Sequence, residues 1–136
     1  MSKIVFTNGC FDIIHPGHIQ VLQFAKSLGD KLIVGINSDS SVKRLKGPDR
    51  PINNQEDRKK VLEALRCVDQ VVIFDEDRPI RLIKALRPDI VVKGGECRAD
   101  EARKTDEIPP EIEIRISPFV PGSSTTDIVN KIRSKK

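Results

Sequence analysis

The chain has only two histidines, and both fall in one tetrapeptide, His15-Pro16-Gly17-His18. Imidazoles three residues apart near a helix start lie on one face, and each can donate a hydrogen bond to a phosphoryl oxygen. Between them Pro16 supplies the fixed φ of a helix's first turn, and Gly17 lets a ligand come close to the backbone. The helix N-terminus itself presents unpaired N–H groups that favour anions, so the arrangement suits a phosphate chain. Two other uses of the pair compete. One or both rings can simply cap or pack, and His15, His18 and Cys10 can be written as the start of a metal site. No further ligands stand at zinc spacing elsewhere, so the sequence assigns no metal. Cys10 as a nucleophile would need a lowered pKa that the sequence does not supply, and a buried thiol is the simpler reading.

A strand before the pair and a helix after it must hold the rings in place, and the chain provides both. Residues 3–8, 31–36, 70–74, 89–93 and 112–116 are short runs rich in β-branched residues and read as five strands. The first four are nearly continuously apolar, the mark of strands covered on both faces, whereas the fifth alternates as an edge strand would. Helical periodicity falls at about 17–28, 54–66, 78–87 and 125–133, with Gly29 and Pro88 as stop signals and Ile128, Val129 and Ile132 as the inner face of the last helix. This order predicts an α/β fold: a doubly wound, mostly parallel five-stranded sheet with helices on both faces, Rossmann-like, in a single domain over residues 1–136. Residues 37–53 and 97–111 read as long polar loops, which are either functional or plain surface.

Composition narrows the partners. In 136 residues, 24 basic and 20 acidic side chains give a net charge of +4, which suits an anionic small molecule as readily as a nucleic acid. With no Trp, no Tyr and five Phe, a base-stacking surface is disfavoured, so no nucleic-acid partner is expected. No apolar run approaches the ~18 residues of a membrane helix and no signal-peptide order opens the chain, so the expected place is the cytoplasm, away from membranes. Cys10, Cys67 and Cys97 form neither a disulfide framework nor a CxxC knuckle. GxxxxGK[ST] and GxGxxG are both absent, and no Ser, His and acidic triad can be read.

The stretch 7–18 (TNGCFDIIHPGH) resembles the opening motif of the HxGH nucleotidyltransferase superfamily. Residues 35–39, 41–47, Arg50-Pro51, Val92-Lys93-Gly94-Gly95 and 122–126 are similar to the bacterial D-glycero-β-D-manno-heptose 1-phosphate adenylyltransferases, so the likeness spans nearly the whole chain. In bacteria that domain is often fused to a sugar kinase, for which 136 residues leave no room, and the resemblance implies the stand-alone form. It also implies transfer of AMP from ATP to a sugar 1-phosphate, giving ADP-heptose and pyrophosphate. Mg²⁺ would be bound with the triphosphate, the partners would be small molecules, and the assembly a homodimer. Glycerol-phosphate type cytidylyltransferases share the histidine motif and the terminal Ser-Thr-Thr, but carry an arginine where this chain has Phe119. A silent nucleotide- or RNA-binding module is disfavoured because both histidines are present. Two stretches depart from the heptose pattern: Ser123 stands where an aromatic residue is frequent, and Lys104-Thr105-Asp106 with Pro109-Pro110 replaces a Gly-containing loop.

Under this resemblance His15 and His18 contact the phosphates, with His18 steadying charge during transfer, and Thr7 and Phe11 offer backbone amides near the α-phosphate beside Asn8 and Gly17. Lys46 is the expected contact to pyrophosphate or the sugar phosphate, within a mobile clamp that includes Lys43, Arg44 and Arg50, unless the basic run is simply a solvated face. Asp12 and Asp39 would meet sugar hydroxyls or Mg²⁺, although Asp39 can instead cap the following helix. Lys93, Gly94 and Gly95 close the fourth strand, where ligands sit in open α/β sheets, and Phe119 would wall an adenine pocket or else belong to the core. Ser124, Thr125 and Thr126 open the last helix, as caps or as a second anion site.

Overall fold

The protein's structure, a computed structural model, describes residues 2–94, 97–118 and 125–134, with the side chains at 125–127 left outside the description. The apolar runs form one parallel sheet of β1 (Ile4–Gly9), β2 (Lys31–Asn37), β3 (Gln70–Phe74), β4 (Ile90–Lys93) and β5 (Glu113–Ile116), in the order β3-β2-β1-β4-β5. Among the described residues six helices accompany it: α1 (Pro16–Ser27), α2 (Asp39–Lys46), α3 (Gln55–Glu63), α4 (Ile80–Leu86), α5 (Ala99–Thr105) and α6 (Thr125–Ser134). The expected doubly wound α/β fold is therefore observed, with every strand pair parallel and the alternating β5 at an edge.

Pleating divides the core in two. Val5, Leu32, Val34, Ile90 and Val92 pack on one face with Leu22 and Ala25 of α1 and Leu62 of α3. Phe6, Ile33 and Val91 face the other way, against Ile83 of α4 and the Ile108 and Ile112 that follow α5. Because side chains alternate along a strand, Thr7 falls on the α1 side, and Asn8 and Lys93 on the α4 side.

Three local expectations are corrected. Residues 39–46 and 99–105, read as parts of polar loops, are the helices α2 and α5. Each buries little apolar surface, Val42 in α2 and Ala102 in α5, so no hydrophobic stripe announced them. What starts α2 is local polar chemistry: Ser38 is its N-cap, accepting from the Ser41 amide at 3.2 Å. In α6, Val129 is buried as expected but Ile132 is 62% exposed, so the inner face ends one turn early.

The strand order fixes where a ligand can go. From β1 the chain first moves to β2 on one side and later to β4 on the other, so a crevice opens beyond the carboxyl ends of β1 and β4. The histidine segment leaves the end of β1 and begins α1 at that crevice.

Candidate active site

His15 is itself the N-cap of α1. Its backbone is extended, Pro16 takes the first helical position, and its Nδ1 accepts from the Gly17 amide at 3.1 Å. The His15 carbonyl begins the helix ladder by accepting from His18 N at 2.9 Å and Ile19 N at 3.2 Å. A ring nitrogen that accepts carries no proton, so the neutral His15 ring is the Nε2–H tautomer. Capping and a functional use are thus compatible: one nitrogen organises the helix start and the other is a donor.

The two rings stack, with centroids 3.8 Å apart and planes 29° from parallel, and Phe11 closes the other side of His18 at 4.9 Å. Phe11 reaches that place through a left-handed backbone, φ 49°, an uncommon conformation for a bulky residue, and its side chain is buried. Held between Phe11 and His15, the His18 ring has little rotational freedom. Burial, and then the neighbouring His15, push its pKa down from 6.5 to about 4, with a backbone hydrogen bond to Ile13 acting in the opposite direction. His18 is therefore neutral at pH 7. Among the described residues its Nδ1 is buried without a hydrogen-bond partner, as is Oγ of Ser117 at the end of β5.

The depressed His18 pKa gives the fold an acid sensitivity whose sign follows from linkage. Between pH 6.5 and about 4 the unfolded chain binds a proton at His18 that the folded chain refuses, so stability falls as pH falls through that window. At ~1.4 kcal/mol per unit, discounted for the solvent that reaches the ring, the loss is about 2 kcal/mol. Thermal melts from pH 7 to pH 4.5 should show His18→Gln losing less stability than wild type by about that amount; parallel curves would contradict it.

Asp12, expected to meet sugar hydroxyls or Mg²⁺, does something else. Its side chain is fully buried, Oδ1 accepts from the Ile52 and Asn53 amides at 2.9 and 2.8 Å, and Oδ2 accepts from Ile52 N at 2.8 Å and Arg50 Nε at 2.9 Å. Three N–H groups, one of them shared between both oxygens, thus already occupy this buried carboxylate. Although burial opposes it, the Asn53 and Ile52 amides and the Arg50 guanidinium hold the Asp12 carboxyl below its usual range. Asn53 completes the latch by donating Nδ2 to the Asp12 carbonyl at 2.6 Å. Arg50 is thereby drawn to the histidine loop, its guanidinium anchored by Nε and its side chain 11% exposed.

Sequence reasoning passes over Arg58, yet this residue organises the crevice. Its side chain is fully buried and donates to the carbonyls of Asn53 (3.0 Å), Cys10 (2.9 Å) and Asn37 (2.7 Å) and to Asp39 Oδ1 (2.9 Å). One guanidinium thus ties the histidine loop to the end of β2, the start of α2 and the lead into α3. Asp39 is the first residue of α2 and not a cap; Ser38 takes that role, and Asp39 keeps a partly exposed carboxylate beside Arg58. The sequence signal was available: Arg58 lies on the same α3 stripe as Leu62, four residues on, so an arginine stood at a core position.

The remaining expected residues divide by place. Lys46 ends α2, exposed, and its charge is felt at Cys10. Burial raises the Cys10 pKa above its ordinary value, although Lys46, Arg58 and Arg50 pull it down, so the thiol stays protonated at neutral pH and is no nucleophile. Arg44 turns away from the histidines, bonded to Asp77 at 2.7 Å and to the Asp75 carbonyl beyond the end of β3. The Thr7 amide expected near an α-phosphate lies within the sheet instead: Thr7 is 1% exposed, paired in register with Val34 and Val92, and its hydroxyl donates to the Val92 carbonyl. Lys93 Nζ donates to Asn8 Oδ1 at 2.6 Å and to Asp106, joining the ends of β4 and β1. Gly94 lacks a side chain because α1 crosses there: a Cβ would meet Val21 at 2.9 Å. Gly95, Phe119 and Ser124 lie outside the described residues, and of Thr125 and Thr126 only their place in the first turn of α6 is described. Among the described residues no three His, Cys, Asp or Glu side chains gather to hold a metal ion, and no helix is long and apolar enough to cross a membrane.

The chain is similar to known proteins in sequence and in fold. The chain is 58% identical over 133 residues to the bifunctional protein HldE of a Nitratiruptor species, and 54% identical over 132 residues to that of Helicobacter pylori. These matches take in 98% and 97% of this chain but 28% of each relative, so it spans little more than a quarter of their length. A solved lipopolysaccharide core biosynthesis protein from Thermoplasma volcanium superposes with a TM-score of 0.71 at 30% identity, covering 88% of this chain and 97% of that one. Pantothenate synthetase from Thermus thermophilus shares the fold, with a TM-score of 0.67 at 13% identity over 98% of this chain and 64% of that one. The model of the cytidylyltransferase-like family matches residues 6–134. With the stacked histidines at the start of α1 and relatives that match this chain end to end, the chain belongs to the cytidylyltransferase-like family and is a nucleotidyltransferase.

Proposed function

We propose that the chain transfers AMP from ATP to a sugar 1-phosphate, D-glycero-D-manno-heptose 1-phosphate in particular, giving ADP-heptose and pyrophosphate in the cytoplasm. The observation that carries this reading is the rigid Phe11, His18, His15 stack at the N-terminus of α1, beside the crevice where β1 and β4 diverge. In the reaction an oxygen of the sugar phosphate attacks the α-phosphorus, the bond from that phosphorus to the β-bridging oxygen breaks, and pyrophosphate leaves with the electron pair. A phosphate monoester has a second pKa near ~6, so the nucleophile is already anionic and needs no general base. The protein's task is alignment and stabilisation of charge, which suits a site whose second histidine is neutral at pH 7.

His15 and His18 would donate hydrogen bonds to the phosphates, and the free amides of the first turn of α1 would favour the same charge. Lys46 and Arg50 would approach from the α2 side, Arg50 held there by Asp12. Mg²⁺ would arrive bound to the triphosphate oxygens. With Asp12 closed, Asp39 is the carboxylate of the two that could face it or a sugar hydroxyl. Gly94, Gly95 and Phe119 would form the base pocket, with Ser124, Thr125 and Thr126 as a second phosphate contact at α6. A second copy of the chain would complete a homodimer.

Nucleotide choice tests the proposal. The phosphate contacts are common to all triphosphates, so discrimination has to come from the base pocket, where an apolar Phe119 and main-chain donors and acceptors would favour adenine by ~10²-fold. With ATP and CTP at equal concentration and a sugar 1-phosphate acceptor, mass analysis should find the ADP-sugar. A dominant CDP-sugar would overturn the adenylyl assignment and place the chain with the cytidylyl-transferring members.

A further inference from the structure

On the α4 face of the sheet, opposite the α1 side, Lys93 and Asp106 make an ion pair that is almost sealed, with side chains 13% and 2% exposed. Lys93 ends β4 and Asp106 closes α5. Lys93 also donates to Asn8 Oδ1 at 2.6 Å, and Arg78 Nη1 reaches Asp106 Oδ1 at 3.3 Å. Thr7 is in register with Val92, so Asn8 and Lys93 stand side by side at the carboxyl ends of β1 and β4, across the crevice from the start of α1. A buried pair of this kind adds little stability, because the cost of removing both charges from water offsets their attraction. Two cations against one carboxylate also leave a net positive charge at the strand ends. An ammonium has three N–H donors, and among the described residues Asn8 and Asp106 take two of them.

We propose that Asp106 is a positioning residue: with Asn8 it fixes the Lys93 ammonium at the crevice, where the third N–H meets an acceptor on the bound nucleoside triphosphate. This rests on reading the crevice as the ATP site. A free lysine loses much rotamer freedom when it is ordered by a ligand, and a lysine already held by a carboxylate and an amide loses less, so the ligand binds more tightly.

Calorimetric titration of the full chain with ATP, on wild type, Lys93→Met, Asp106→Asn and the double variant, tests the assignment. Each single variant should weaken ATP binding by ~10-fold, the effect of losing one charge-assisted hydrogen bond, and the double should be no weaker than Lys93→Met alone because Asp106 acts only through Lys93. An Asp106→Asn variant that melts earlier but binds ATP as wild type does, or a double variant whose loss is the product of the two singles, overturns the proposal. If Asp106→Asn does not fold, comparing Lys93→Met with the double variant, which leaves no charge unpaired at either position, decides the matter: equal affinity supports the assignment and a further loss refutes it. A wild type that binds ATP yet releases no pyrophosphate counts against the transfer reading alone.

Discussion

Turnover by His18→Ala is expected to fall ~10²–10³-fold while the fold survives, the size of effect seen when one preorganised charge-stabilising donor is removed. The ring is fixed before substrate arrives, stacked on His15 at 3.8 Å and backed by Phe11, so it needs little reorganisation as charge develops. Because burial keeps it neutral to about pH 4, the ring carries a single N–H and no positive charge, and its donation to a phosphate requires that proton on the nitrogen turned away from Ile13. The rate should therefore show no titration of His18 between pH 6 and 8. His18 is only half-buried at a helix start, so truncation should leave the melting temperature within a few degrees of wild type. Steady-state pyrophosphate release combined with a melting curve checks both halves. Near-wild-type turnover in a folded variant would remove His18 from the chemistry.

The largest stability effect is expected at Arg58. Truncation to alanine would leave the carbonyls of Cys10, Asn37 and Asn53 without their donor and Asp39 without its partner, together with a void in the core. Losing one side of a buried charged network costs ~3–5 kcal/mol; the partial exposure of Asp39 argues for the lower end, about 3 kcal/mol. Arg58→Lys should recover little, since an ammonium cannot present the planar fork that meets three carbonyls and a carboxylate together. Chemical denaturation of Arg58→Ala should show the midpoint shifted by that amount. A shift below ~1 kcal/mol, the size of a single ordinary hydrogen bond, would mean that the loops are held independently of this residue.

Arg58 also marks the limit of what the sequence reveals. The strands were legible to within about one residue because a parallel sheet covered on both faces demands continuous apolar runs, and residues 70–74 coincide with β3. The histidine pair was legible because residue types and spacing are local. Ion pairs across the chain were not: Asp12 reads as a ligand carboxylate until Arg50 and the 52–53 amides, about forty residues away, are seen to close it. Asp106 lay in a segment read as a loop, since α5 buries a single alanine and carries no stripe; once the helix is known, Asp106 falls four residues after Ala102, on its buried side. Arg44 and Lys46, two residues apart on α2, point into different surroundings, which a run of basic residues cannot distinguish.

The most direct measurement is product identification from the chain incubated with ATP, Mg²⁺ and D-glycero-D-manno-heptose 1-phosphate, with pyrophosphate followed in parallel. Transfer of AMP predicts equal amounts of ADP-heptose and pyrophosphate, dependent on both substrates and reduced to ~1% or less by His18→Ala. Release of no pyrophosphate with ATP or CTP across a panel of sugar and polyol phosphates, from a chain that is folded and binds nucleotide, would contradict it.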